Sequence, residues 1–471
     1  MFKIAIFPLF FCVKLNELST YYYFIYPTNL LSTILFLIIV IVLSRFKSQK
    51  IIDENDARLY RLSVYHKLFF SSIFAFYYLG VLKGGDTYAY WVTTDALQNL
   101  LFHDFGKFWE IISSESTMER LFGVFDYKTG YPERFIYMEH ESFFVSKVLL
   151  IFKIITFDGY LATTFILAYI MANSSWKLYE IANEMDIFNK KLISIFLLFL
   201  PSVAFWSAGI SKDTIVFISI LNIVFHVYRL LKPKPNSSIV KHWILLILFA
   251  VLIYKIRPFI LFALAVPLLW MYFVGVVNKI KSFNLLKWII KGSMISLIFG
   301  ITGYLLITSN IDSILSTNTS LNEAVIVQQD FQNNTQVYGG DEGKRYSIGT
   351  IDLSVVGLLK ILPACIMAGI YRPFIWEALS PSLILNGLES IFLIGLTFWF
   401  FYNKPRYRIL IISKNELLVF SFIFVMIIAF MTGFTSVLFG VLVRIRTPLL
   451  PFIGLLLSID WQRVKDQRLS N

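Results

Sequence analysis

Residues 212–231 read KDTIVFISILNIVFHVYRLL. An apolar run of about 20 residues crosses the hydrocarbon of a bilayer as one helix. Comparable runs lie near 28–45, 67–83, 160–176, 191–207, 242–256, 258–275, 288–307, 382–402, 415–432 and 443–460. Together they predict an all-α, polytopic integral membrane helix bundle of about 11 spans, one transmembrane domain over residues 1–471.

Composition agrees with that reading. Apolar residues are 57% of the 471 and charged residues 15%, with Phe alone occurring 47 times. A soluble globule must wet much of its surface and carries about 25% charge. A soluble enzyme, a disordered chain and a secreted disulfide scaffold are therefore excluded. Cys12 and Cys365 are too far apart in sequence to suggest a metal-ligand spacing or a disulfide framework. Lys and Arg exceed Asp and Glu by 42 to 30, a net charge of +12. In a membrane protein this excess collects on cytoplasmic loops, so it does not call for a nucleic-acid partner. Residues 1–13 lack a small-residue cleavage site and read as an interfacial segment.

The basic loops set the expected orientation. Arg45, Lys47, Lys50, Arg58 and Arg61 follow the first span; Lys177, Lys190 and Lys191 flank a second loop. Lys232, Lys234 and Lys241 fill a third, Lys279, Lys281 and Lys287 a fourth, and Lys404, Arg406, Arg408 and Lys414 a fifth. With Arg463, Lys465 and Arg468 in the tail, all six go inside by the positive-inside rule. Eleven spans then put the N-terminus outside and the C-terminus in the cytoplasm of a multi-pass plasma (bacterial inner) membrane. Two long segments, 84–159 and 308–381, fall outside as external loops. Each carries an apolar stretch, Ser142–Phe157 and Ile351–Ile370, read as a helix lying on the outer interface.

Charge that survives outside the basic loops is the guide to chemistry, because ionisable groups near a bilayer need a cavity or a partner. The stretch Gly84-Gly85-Asp86-Thr87-Tyr88-Ala89-Tyr90-Trp91 follows the second span. Its glycines permit a tight turn. Asp86 is a candidate general base, and Tyr88 and Trp91 are candidate platforms for a sugar ring; the plainer reading is a helix cap beside an aromatic belt. Pro201–Asp213 forms an outer turn in which Lys212 and Asp213 adjoin, with Lys212 a candidate phosphate ligand and Ser211 or Asp213 a candidate cap. Arginines recur at outer turns: Arg257 before Pro258, Arg372 in Tyr371-Arg372-Pro373-Phe374-Ile375-Trp376-Glu377, and Arg444 and Arg446 in Arg444-Ile445-Arg446-Thr447-Pro448. Guanidinium groups bind phosphate through paired donors, so these read as an anion site or as lipid headgroup anchors.

Other groups are less directive. Glu119, Arg120, Glu133, Arg134, Glu139, His140, Glu141, Asp341, Glu342, Lys344 and Arg345 fall in the external loops. Glu139-His140-Glu141 has metal-ligand residue types, but three consecutive residues rarely point the same way, so no metal site is assigned. His66, His103, His226 and His242 show no pairing in the sequence, and Asn318-Thr319-Ser320 and Asn333-Asn334-Thr335 match a glycosylation sequon.

Taken in order, Gly85-Asp86-Thr87-Tyr88, Trp206–Asp213, Arg372–Glu377 and Arg444–Phe452 resemble the polytopic bacterial glycosyltransferases of the GT-C type, and are similar to membrane polymerases of cell-surface polysaccharide. The resemblance rests on four short patches, their order and their shared outer side. It implies a polyprenyl-phosphate-linked sugar as donor, a glycan, lipid or protein acceptor, transfer at the outer face, and an acidic base on the first external loop, which maps to Asp86. Many such enzymes pair two acids there; Asp86 has no acidic neighbour before Asp95. The polymerase relatives rely on arginines instead and take a lipid-linked oligosaccharide. A lipid-linked sugar transporter or flippase, or a non-catalytic membrane scaffold, are the readings outside this class.

Overall fold

The computed structural model describes residues 27–235, 238–279, 346, 355–378, 381–436 and 438–470. The expected interfacial segment 1–13, the span 288–307 and most of the loop 308–381, with its sequons and its Asp341–Arg345 charges, lie outside the described residues.

The described chain is helical, with no strand and one isolated bridge, Phe188 to Ile459. Seven of its helices are long and apolar enough to cross a membrane: Thr28–Ser48, Lys212–Leu231, Ile239–Ile256, Pro258–Gly275, Leu383–Tyr402, Glu416–Thr435 and Phe439–Leu457. Two bent pairs raise the number to nine if each counts as one span, Glu54–Val81 with Asp86–His103 and His140–Ile155 with Tyr160–Met185. Ten of the eleven expected spans fall among the described residues, and the eleventh, 288–307, lies outside them.

The differences have local causes. Residues 191–207, expected as one span, form three short pieces: Lys190–Ser194, Ile195–Phe199 and Pro201–Trp206. Leu200 is extended (φ −64°, ψ 122°) before Pro201, which cannot donate to the helical ladder. The second helix begins at Glu54 and not near 67, because Asp53 caps it by accepting the Asn55 N–H at 2.8 Å. The 86° bend before Asp86 is made by Gly85, whose φ of 88° and ψ of −179° are closed to other residues. The 106° bend before Tyr160 runs through Phe157 and Asp158, both at positive φ.

The chain divides into two compact units. The first holds the residues up to Ser174 with Ala204–Ile218 and Lys255–Arg257. Its 84–159 segment is more than a loop. Helices Asp86–His103, Phe105–Ser113, Met118–Val124, Arg134–Met138 and His140–Ile155 enclose a core of Leu97, Leu100, Ile111, Leu121, Phe125, Tyr137 and Phe143. The second unit holds Ser175–Val203, Ser219–Tyr254 and Pro258 onward. There the Val355–Tyr371 and Glu416–Thr435 helices meet backbone to backbone. A Cβ on Gly369 would strike the Ala429 carbonyl, and one on Gly433 the Cys365 carbonyl. Small residues four apart on each helix allow this approach, the usual device where packing and not water drives association.

One end of the second unit is a charge network. Glu184 takes a two-pronged contact from Arg229 at 2.7 Å and meets Lys234 at 2.5 Å, while Lys232 pairs with Glu416. Arg463 of the tail reaches Asp186 at 3.0 Å. These contacts gather Lys232, Lys234 and Arg463 of the basic loops at one end of this unit.

Candidate functional site

In the first unit, Ser211 Oγ accepts the Thr214 N–H at 3.1 Å and so caps the Lys212–Leu231 helix. The cap fixes Lys212 and Asp213 at the helix start. Lys212 Nζ donates to Glu139, whose other oxygen accepts from Ser142 Oγ. Arg257 Nη2 meets Asp213 Oδ1 at 2.6 Å. Burial alone raises the Glu139 carboxyl. The hydrogen bonds from Lys212 and Ser142, with the charges of Lys212 and Arg257, outweigh it and hold Glu139 below its ordinary value. In this arrangement each cation faces one acid, so a phosphate would have to displace a carboxylate to reach either.

Of the two expected aromatic platforms, Trp91 is corrected. Trp91 is 0% exposed, with Lys153 Nζ 3.8 Å from its ring centroid and Tyr160 against its edge, so it has no face to offer a sugar. Tyr88 is half-buried, and Asp86 is exposed as the first residue of its helix, with Gly85 in the cap position. Lys153 is the buried charge here. It lies 2.5 Å from Asp95 and also pairs with Asp158, tying the His140–Ile155 arm and the corner of the 106° bend to the Asp86–His103 helix. Its position inside an apolar stretch was the signal for it, as for any charge placed among hydrocarbon.

In the second unit the Arg372–Glu377 turn and the Phe439–Arg446 helix form another group. Arg372 Nε is 3.5 Å from Glu377 Oε1, and Glu377 Oε2 accepts the Phe374 N–H at 2.9 Å. The Arg372 guanidinium also covers the Tyr346 ring at 4.8 Å. Tyr346 donates to the Gly433 carbonyl at 3.3 Å, and burial pushes its phenol up, so it stays neutral. Trp376 stacks on Phe374 and is 73% exposed.

Arg446 is 0% exposed. Its Nη1 donates to the carbonyls of Ile370, at 3.3 Å, and Arg372. Its Nε and Nη2 have no hydrogen-bond partner among the described residues. Those two nitrogens form the side edge of the guanidinium, the edge that binds carboxylate or phosphate through two parallel bonds. Arg444, two residues earlier, is half-buried, so the two arginines do take different surroundings.

Sequence reasoning passed over Glu389, an acid inside the apolar run 382–402. Its Oε1 accepts the Ser202 N–H at 2.9 Å, its Oε2 has no partner among the described residues, and Arg446 acts on it electrostatically. A lone acid in a spanning run is a functional signal by its cost. The histidines are corrected too: His226 and His242 pair through their Nδ1 atoms at 2.8 Å, brought together by the hairpin of the Lys212–Leu231 and Ile239–Ile256 helices.

The expected residues thus gather in two groups, Lys212, Asp213 and Arg257 in the first unit and Arg372, Glu377 and Arg446 in the second. No protein family, curated protein or solved structure matches the chain.

Proposed function

We propose that the chain is a membrane glycosyltransferase that moves a sugar from a polyprenyl-phosphate-linked donor to a glycan, lipid or protein acceptor at the outer face of the membrane. The observation that carries this reading is Arg446: a fully buried cation anchored by carbonyls, with a two-nitrogen edge unspent. Glycosyl transfer from a lipid phosphate needs a cation for the departing phosphate and a base for the acceptor hydroxyl. An apolar frame lets the prenyl tail stay in lipid while the phosphate meets the guanidinium.

The same observation favours the polymerase form of this activity, with a lipid-linked oligosaccharide as donor. The general transferase reading has Asp86 as base, with Lys212, Arg257, Arg372 and Arg446 around the phosphate. In the polymerase reading the arginines matter more than Asp86. Lys212 and Arg257 are already paired with acids and Asp86 is exposed, whereas Arg446 keeps donors in reserve. The test is incubation of the purified protein in lipid nanodiscs with labelled polyprenyl-phosphate and polyprenyl-diphosphate sugars. A transferred, lengthened product supports the reading; its absence with every donor removes it.

A further inference from the structure

We infer that Glu389, and not Asp86, is the carboxylate that takes the acceptor's hydroxyl proton, next to an Arg446 that holds the donor phosphate. The inference rests on the glycosyl-transfer reading above. Four observations within the second unit carry it. First, Glu389 is held by one oxygen only: the Ser202 N–H fixes Oε1 at 2.9 Å and leaves buried Oε2 without a partner among the described residues. A base needs this arrangement, with one atom fixed for orientation and the other left to accept a proton.

Second, Arg446 is an electrostatic neighbour of Glu389, yet the two do not close into a salt bridge, and the unspent edge of one accompanies the unspent oxygen of the other. An acid and a guanidinium kept apart with donors and acceptor in hand suit a ligand that carries both an anion and a hydroxyl. A bare phosphate would use only the arginine. Third, the helices that carry them, Pro381–Tyr402 and Phe439–Arg446, pack against each other. Glu389 is eight residues into its helix and Arg446 seven into its own, so both lie about 10–12 Å from their helix starts at 1.5 Å per residue. Fourth, Glu389 borders the exposed face of its helix: Leu385 and Phe392, its neighbours at i−4 and i+3, are 62% and 37% exposed, while Leu393 at i+4 is 1% exposed. A prenyl tail lying along that exposed face would leave its head group beside the carboxylate.

The acceptor hydroxyl oxygen bonds to the anomeric carbon while the bond from that carbon to the donor phosphate oxygen breaks, its electron pair leaving on the phosphate. The hydroxyl proton passes to Glu389 Oε2. The charge left on the phosphate meets Arg446 Nε–H and Nη2–H, and Glu389 later returns its proton to water.

The experiment uses the full chain in nanodiscs with a labelled polyprenyl-diphosphate oligosaccharide that serves as both donor and acceptor. Glu389→Gln keeps an oxygen for the Ser202 N–H, so it should fold and bind the labelled lipid within about twofold of wild type. Its single-turnover transfer should fall about 10²–10⁴-fold, the usual worth of a positioned base. Glu389→Ala should regain at least about tenfold with added formate, a response that a structural role would not give. Transfer by Glu389→Gln near the wild-type rate overturns the inference and leaves the transferase reading standing, as does a folded Glu389→Ala that formate fails to help. A wild-type chain that transfers nothing removes the transferase reading and this inference with it.

Discussion

The two groups of charge use the same residue types to opposite effect. In the first unit Lys212 and Arg257 are balanced one to one by Glu139 and Asp213. In the second, Arg446 is held by the carbonyls of Ile370 and Arg372, which anchor the guanidinium without neutralising it. A paired cation at a helix start is a fastening. A buried cation fixed by neutral oxygens keeps its charge for something else. What separates them is the partner, and no residue type announces its partner.

The largest expected effect breaks the first unit. Lys153→Ala leaves Asp95 and Asp158 facing a hole where their shared cation was, and removing one side of a buried pair costs about 3–5 kcal/mol. Thermal unfolding of the detergent-solubilised protein should fall accordingly, and a Lys153→Met, Asp95→Leu double variant should recover part of the loss. A Lys153→Ala chain as stable as wild type would mean that the bend does not depend on this ion pair.

Next is the second unit. Arg446→Lys keeps the charge and discards the two-nitrogen edge, so transfer should drop about 10²-fold, near 2.7 kcal/mol in the transition state, while the fold stays intact. Lys212→Met should change transfer much less. Equal losses in both would erase the contrast. Smaller again is Gly433→Ala, whose new methyl meets the Cys365 carbonyl; about 1–3 kcal/mol of stability should go, read as a lower melting temperature.

The smallest effect is a pH dependence. Glu139 is held below its ordinary value, so its pairing with Lys212 stabilises the fold above the ordinary carboxylate range and is lost as pH falls through the lower, folded value. The gap in melting temperature between wild type and Lys212→Met should therefore narrow as the solution is acidified below that range. A gap that stays constant with pH would show that the pair contributes nothing through ionisation.

Much of the frame was legible in the sequence. The runs at 212–231, 242–256, 258–275, 382–402 and 415–432 correspond to helices within a few residues, because twenty apolar side chains admit few other solutions. The bends and breaks were less so. Gly84-Gly85 announced one turn, but the turn at Phe157-Asp158 rests on two non-glycine residues at positive φ, which hydropathy does not register. Arg372 and Arg446 were legible as charges that interrupt apolar sequence, but the sequence grouped them with Arg257, Lys212 and Asp86 and did not single out their association with Glu377. Glu389 went unread because a single acid barely dents the mean hydropathy of its run, and the burial of Trp91 was hidden because the lysine that covers it lies 62 residues away in sequence, at 153. Contacts between distant stretches carry that information, and composition does not.

One assay on three chains separates Arg446 from Asp86. Wild type, Arg446→Lys and Asp86→Asn, each in nanodiscs, receive the same labelled polyprenyl-diphosphate oligosaccharide, and the lengthened product is measured. Wild type should give product, Arg446→Lys should lose about 10²-fold, and Asp86→Asn should lose far less. No product from wild type, or a loss confined to Asp86→Asn, would contradict the proposed role of Arg446.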